Sequence, residues 1–158
     1  MGTKVLGTKA LRAALSMSAA GAVITLVVTN VVVMAPANAA DLPTSVWQGV
    51  YTKAQAARGQ TLYLTSCSSC HGTQLQGDTD APDLAGSAFV KRWTGRSVGV
   101  LFGFTESQMP VGRPRGLGAQ GYADVIAHML AANGYPDGAQ ELPASTAVLD
   151  KIMIDVKK

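Results

Sequence analysis

Two cysteines and a histidine fall within five residues, Cys67-Ser-Ser-Cys70-His71, and the 158-residue chain has no other cysteine. On one helical turn these three side chains lie at i, i+3 and i+4, so both thiols and the imidazole face the same object. A flat macrocycle suits that arrangement. Two thioether bonds to haem vinyl groups would hold the ring while His71 ligates iron, and CxxCH is the recognised attachment signature for a c-type haem. Three other chemistries use the same atoms. A structural zinc site needs four ligands in separated pairs, and only the distant His128 remains to contribute. A redox-active dithiol belongs beside a βαβ pattern, which is not visible here. A plain disulfide across so short a loop is strained and leaves His71 without a role.

If iron is held, its second axial ligand decides the chemistry. Downstream lie Met109, Met129 and Met153. Met129 belongs to an apolar helical stripe and reads as core packing, and Met153 sits in the tail as surface or packing. Met109 precedes Pro110 in a Gly/Pro-rich stretch that gives a lone apolar side chain little reason to be there, so a thioether ligand fits. A vacant or weakly held sixth position is the alternative. His/Met ligation fills both axial sites and raises the reduction potential, favouring electron transfer over oxygen or peroxide chemistry.

The elements that must position these groups are helical. Good helix formers over Lys53 to Ser66 predict a helix running into the cysteines. Gly72 to Ala88 carries Gly72, Gly77, Asp78, Pro82 and Gly86, an irregular loop that must wrap around something. Short helices are expected at Ala88 to Trp93 and Val98 to Thr105, followed by a second loop from Met109 to Gly121. Tyr122, Val125, Ile126, Met129 and Leu130 then mark one face of a helix ending near Asn133-Gly134. A short helix is expected around Thr146 to Ile154. Strands find little support, and no internal repeat is visible.

Residues 1 to 40 read differently. Lys4, Lys9 and Arg12 precede a long apolar run, and Ala37-Asn38-Ala39 offers the small residues of a signal-peptidase site, predicting an export signal cleaved after Ala39 or Ala40. The competing reading is a retained anchor, since Ala13 to Ala35 is long enough to cross a bilayer. Ser16, Ser18, Thr25, Thr29 and Asn30 weaken it. Removing residues 1 to 40 takes three of thirteen basic residues and none of ten acidic ones, so the formal charge falls from +3 to zero. A nucleic-acid function is excluded, because phosphate binding needs a surplus of Lys and Arg. The remaining residues 41 to 158 predict one small domain, of a size that gains from a bound cofactor.

The ordered set VWQGVYTKAQAARGQTLYLTSCSSCHG, PDLAGSAFVKRW and MPVGRPRGLGAQGYADVIAHMLAANGYPDG resembles the class I cytochromes c through nearly all of residues 46 to 154. More narrowly, it is similar to the small periplasmic monohaem cytochromes associated with bacterial quinoprotein alcohol dehydrogenases. The resemblance implies an all-α fold of a few helices wrapped around one covalent haem c. It implies that Gly59 and Tyr63 pack against Val125 and His128 of the last helix, and that the Pro82 carbonyl accepts the proton of the proximal His71. It also implies that Leu84 lies on the haem and Trp93 hydrogen-bonds a propionate; a buried indole with a satisfied N–H is the alternative for Trp93. One departure stands out. Relatives carry Pro-Gly-Ser-Leu-Ser where this chain has Pro114-Arg-Gly-Leu-Gly118, and loss of the capping serine should cost only about 0.3 kcal/mol. Arg113 and Arg115 add positive charge beside Met109, either simply solvated or able to steer a partner.

The expectation is therefore a periplasmic electron carrier, not an enzyme in itself, with Cys67 and Cys70 as haem tethers and His71 and Met109 as iron ligands. The resemblance implies redox protein partners: a periplasmic dehydrogenase as donor, whose cytochrome subunit it would be in one arrangement, and another cytochrome or terminal oxidase as acceptor. Membrane association is expected only if the signal is retained. The rival classes are a haem peroxidase and a haem gas sensor, both of which keep iron open on one side.

Overall fold

The computed structural model describes residues 43–157; the expected export signal lies outside the described residues. A short 3-10 turn, Val46–Gln48, leads into six helices: α1 Lys53–Ser66, α2 Ser68–His71, α3 Gly86–Trp93, α4 Val98–Gln108, α5 Gly118–Ala132 and α6 Thr146–Leu149. Among the described residues there is no strand, only two isolated bridges. The expected all-α class is what is found.

α1 starts where Thr52 caps it, its Oγ1 accepting from Gln55 N at 3.1 Å. Its buried residues, Gln55, Ala56, Gly59 and Tyr63, form the face applied to α5. Gly59 permits the contact, because a Cβ there would fall inside the Asp124 carbonyl. The two backbones touch at this crossing, as the resemblance implies. One turn on, the Tyr63 and His128 rings lie 5.3 Å apart at a tilt of 50°. α5 is buried at nine of fifteen positions, so it is the axis of the core. It stops at Asn133, and Gly134 takes the left-handed conformation (φ +79°) that closes helices favourably.

Two polar devices fasten this crossing to the segment after α5. Arg58 on α1 presents Nε and Nη2 to the Asp124 carboxylate at 3.0 and 3.1 Å, and Nη1 to Glu141 at 2.8 Å. Buried Gln55 pairs its side-chain amide with the backbone of Leu142 in both directions, at 2.9 and 2.7 Å. A buried amide satisfied at both ends orders the chain without an unpaired polar group.

Three boundaries depart from sequence expectation. α4 continues to Gln108, one turn beyond Thr105, with Ser97 capping it by accepting from Val100 N. The loop after Met109 ends at Leu117 rather than Gly121. The tail helix stops at Leu149, because the backbone of Ile152, Met153 and Ile154 is committed elsewhere: Ile152 O accepts from Val98 N, Met153 O from Val46 N and Ile154 O from Gly95 N. Met153 also donates to Thr44 O at 2.8 Å, so the tail laces the start of the folded body to the α3–α4 connection. Gly118 has φ +69° and is the first residue of α5, not a cap that replaces serine. A serine there meets the left-handed penalty of about 1–2 kcal/mol, larger than the capping argument gives.

Candidate functional site

α1 breaks at Cys67 (φ −128°, ψ −32°), and the chain immediately makes one further turn as α2. Cys70 N and His71 N both donate to Cys67 O, at 3.2 and 3.0 Å, which places the two thiols and the imidazole on the same turn. Cys67 is half-buried, Cys70 exposed and His71 buried. The two sulfurs are not bonded to one another. Burial, and then the neighbouring Cys70, push the Cys67 thiol up to about 11. That is the reverse of what a redox-active dithiol requires, since such sites lower a thiol pKa. Among the described residues no three His, Cys, Asp or Glu side chains gather as a metal site would need, so the zinc reading has no second ligand pair.

The imidazole is oriented by the loop that follows. His71 Nδ1 lies 2.8 Å from Pro82 O. A carbonyl only accepts, so Nδ1 carries the proton and Nε2 keeps the lone pair a metal would take. Pro82 is brought there by a tightly knit turn. Gly77 N donates to His71 O, Leu84 N to Leu75 O and Asp78 N to Ala81 O, all at 2.8–2.9 Å, and Asp78 Oδ1 accepts from Asp80 N and Ala81 N. Asn133, just past α5, clamps the far end, donating to Leu84 O at 3.0 Å and accepting from Gly86 N at 2.9 Å. Leu84 is half-buried against the core. From behind, the Tyr63 hydroxyl donates to Gly72 O at 2.5 Å, with His71 O at 3.2 Å. Burial, followed by the charge at Cys67, raises the Tyr63 phenol to about 12, so it stays a donor.

Met109 lies at the C-terminal end of α4. It terminates α4, donating to Thr105 O, and is half-buried. Tyr122 on α5 donates its hydroxyl to Met109 O at 2.7 Å, a backbone anchor across thirteen residues. No hydrogen bond among the described residues joins Met109 to the CSSCH turn; they are linked through the α1–α5 crossing. Trp93 is buried, its ring 5.8 Å from Phe104, with the Arg92 guanidinium over both rings at 5.5 and 5.3 Å. Among the described residues the Trp93 indole N–H makes no hydrogen bond to protein. Half-buried His128 is held neutral by burial, which lowers its pKa.

These residues fit a covalently held c-type haem: two sulfurs and one metal-ready imidazole nitrogen share a turn, and the ring is fixed through its other nitrogen. Sequence reasoning missed three supports: Tyr122, Asn133 and the second contact of Tyr63 through its hydroxyl. Each joins backbone groups distant in the chain, and a polar residue type alone does not signal such a partner.

A family description named Cytochrome c matches residues 56–133. A curated relative, cytochrome c-554(547) of Halothiobacillus neapolitanus, is 61% identical over 31 residues, which is 20% of this chain and 34% of the relative. The matched stretch thus spans about a third of that protein. No solved structure gives a significant match. Among the described residues no helix is long and apolar enough to cross a membrane.

Proposed function

Because residues 56–133 place the chain in the class I cytochrome c family, whose members hold a covalent haem, we propose that it is an exported one-electron carrier with His71 and Met109 as axial ligands. The observation that carries this reading is the 2.8 Å contact between His71 Nδ1 and Pro82 O, beside two cysteines on the same turn. That bond leaves Nε2 as the ring nitrogen with a lone pair to offer, which is the orientation a ligand requires. Once attached, the haem supplies a ferrous/ferric couple at the potential its surroundings set.

The chain's own residues do the rest. Cys67 and Cys70 tether the ring covalently, so the cofactor is not lost between encounters. Pro82 O holds the His71 proton at Nδ1 and keeps Nε2 directed at iron. Met109, fixed through its carbonyl by Tyr122, supplies a thioether and closes the position at which peroxide or a gas would bind. Leu84 would shield one face of the haem from water, and the Trp93 N–H would bind a propionate. One electron enters from a donor protein and one leaves to an acceptor, with no bond made or broken in the polypeptide. The export pattern of residues 1 to 40 and the need to attach haem outside the cytoplasm support a periplasmic location, with a dehydrogenase as donor and another cytochrome or an oxidase as acceptor.

The test is spectroscopic. Natively matured protein should show a Soret band, a near-infrared sulfur-to-iron band when oxidised and no ready carbon monoxide binding when reduced. Met109→Ala should lose the near-infrared band, bind carbon monoxide and fall in potential. An unchanged spectrum in that variant assigns the sixth ligand elsewhere, and absence of the Soret band overturns the whole reading.

A further inference from the structure

Residues 41–158 contain a single asparagine, Asn133, and a glycine follows it. In an Asn-Gly pair the side-chain amide is unusually open to attack by the next backbone nitrogen, because glycine has no Cβ to crowd the approach. The Gly134 nitrogen gives its proton to water and bonds to Asn133 Cγ; the Cγ–Nδ2 bond breaks, and Nδ2 leaves as ammonia with a proton taken from water. Water then opens the cyclic imide at either carbonyl, leaving aspartate or isoaspartate, and no electron changes hands. Gln48-Gly49, Gln76-Gly77 and Gln120-Gly121 would have to close a larger ring and react more slowly. Space is no obstacle at Gly134: it is exposed, and nothing beyond its chain neighbours lies within 4 Å of the position a Cβ would take.

Hydrogen bonding is what keeps the pair intact. Nδ2, the leaving group, donates to Leu84 O at 3.0 Å and to Met129 O at 2.8 Å, while Oδ1 accepts from Gly86 N at 2.9 Å. The attacking nitrogen is engaged as well, Gly134 N donating to Ala131 O at 3.0 Å. Ring closure therefore requires the amide to leave Leu84 and Gly86, at the exit of the loop whose Pro82 carbonyl orients His71. The products do not restore the clamp. A carboxylate has no proton for Leu84 O or Met129 O, so two carbonyls face an anion, and the new charge lies at the C-terminus of α5, where the helix dipole disfavours it. Isoaspartate also lengthens the backbone by one carbon at that turn.

We infer that Asn133-Gly134 is a self-modification site, closed while the loop 72–86 is folded on His71 and reactive once that loop opens, so that a chain left open loses its clamp irreversibly. Solvent water is the only co-reactant. With His71 bound to iron the loop stays folded and the amide locked; a chain that has not received haem, or whose loop has been pulled open, converts to the acid form. The link to haem rests on the electron-carrier reading, whereas the reactivity of Asn133 in the opened loop does not.

The test keeps haem-containing protein in mildly alkaline buffer, with and without strong urea. Peptide masses follow the amide-to-acid gain, and an isoaspartate methyltransferase assay follows the rearranged product. Asn133 should convert at least about tenfold more slowly in the native sample. A haem-free chain, Cys67→Ala with Cys70→Ala, should approach the urea rate in buffer alone. Asp78→Ala, which frees Asp80 N and Ala81 N inside the loop and does not touch Asn133, should speed native conversion. Tyr122→Phe, which loosens residues 109–117, should leave it within about twofold of wild type. Because Asp78→Ala could weaken the whole fold, Asn133→Asp supplies a second readout: amide exchange at Gly86 should rise, and part of the lost melting temperature should return as pH falls through the ordinary carboxylate range. Equal rates with and without urea, conversion confined to Asp137-Gly138 or the Gln-Gly pairs, a haem-free chain as slow as native protein, or equal acceleration by Asp78→Ala and Tyr122→Phe overturns the inference. Protein that lacks a Soret band yet still shows the contrast between buffer and urea at Asn133 overturns the carrier reading and leaves the site standing.

Discussion

The two loops that flank the candidate iron site are built on opposite plans. The His71 side, residues 72–85, is cross-linked throughout: its carbonyls and amides pair within the loop, Pro82 engages the imidazole and Asn133 fastens the exit to α5. The Met109 side, residues 109–117, makes only local turns, Arg113 N to Pro110 O and Gly116 N to Arg113 O, with Arg115 N reaching back to α4. Its one tie to α5 from a side chain is Tyr122 on Met109 O. One loop is acidic and the other basic. The cross-linked loop follows and orients the candidate ligand His71, and the looser one begins at the candidate ligand Met109. The difference teaches that the two candidate ligands are held by different means, one through a cross-linked loop and the other through a single side-chain anchor on its carbonyl.

Breaking the stiff side should have the largest effect. Cys67→Ala combined with Cys70→Ala should abolish covalent haem, read by mass and by the loss of Soret absorbance from denatured protein, whereas Met109→Ala should leave the haem attached. Equal loss in both variants would erase the contrast between the loops.

The next effect falls on the crossing that supports both loops. Gly59→Ala drives a Cβ into the Asp124 carbonyl, so it should cost about 1–3 kcal/mol or more, measured by denaturant unfolding. A neutral result would mean that α1 and α5 do not touch there.

Smaller and more discriminating is the comparison of the two anchors. Asn133→Ala removes both bonds that hold the exit of the stiff loop and should cost about 2 kcal/mol, while Tyr122→Phe removes one and should cost about 1 kcal/mol. Amide exchange should rise in 72–86 for the first and in 109–117 for the second. Swapped regions would refute the assignment of anchors to loops.

The smallest effect is an acid one. Burial alone would raise the Asp124 carboxyl, but hydrogen bonds from Arg58, Gln120 and Gln55 outweigh it and hold the group below the ordinary 3.8. A depressed carboxylate contributes stability above its unfolded pKa and loses it as pH falls through the folded value. Wild type should therefore lose more melting temperature between pH 6 and pH 3 than Asp124→Asn does; parallel curves would show that the carboxylate carries none of this stability.

Sequence patterning reached α1 at both ends, because Thr52 and the cysteine turn punctuate it, and reached the end of α5 through Asn133-Gly134. It placed the start of α5 too late, since Gly118 reads as a breaker unless its left-handed φ is known, and the tail helix too long, since only tertiary pairing commits Ile152 to Ile154 to an extended path. At the site, CSSCH and Pro82 were legible from local pattern and resemblance, and His71 and Pro82 do meet. The hydroxyl and amide anchors were not legible, because a Tyr122 or an Asn133 acquires its partner only when helices cross. Net charge was equally uninformative: a formal zero over residues 41 to 158 conceals a basic stretch at 84–123 and an acidic one at 72–83.

The lacing of Met153 to Thr44 and Val46 brings the beginning and the end of the folded body side by side. Such a module can be spliced into a longer polypeptide, or strung in tandem, without reshaping its interior. A short linker from the tail back to residue 44, with new ends opened in the exposed Ala139–Gln140 turn, describes a circular permutant that keeps every helix whole. Immobilised through either original end, the molecule would present the same side to an electrode.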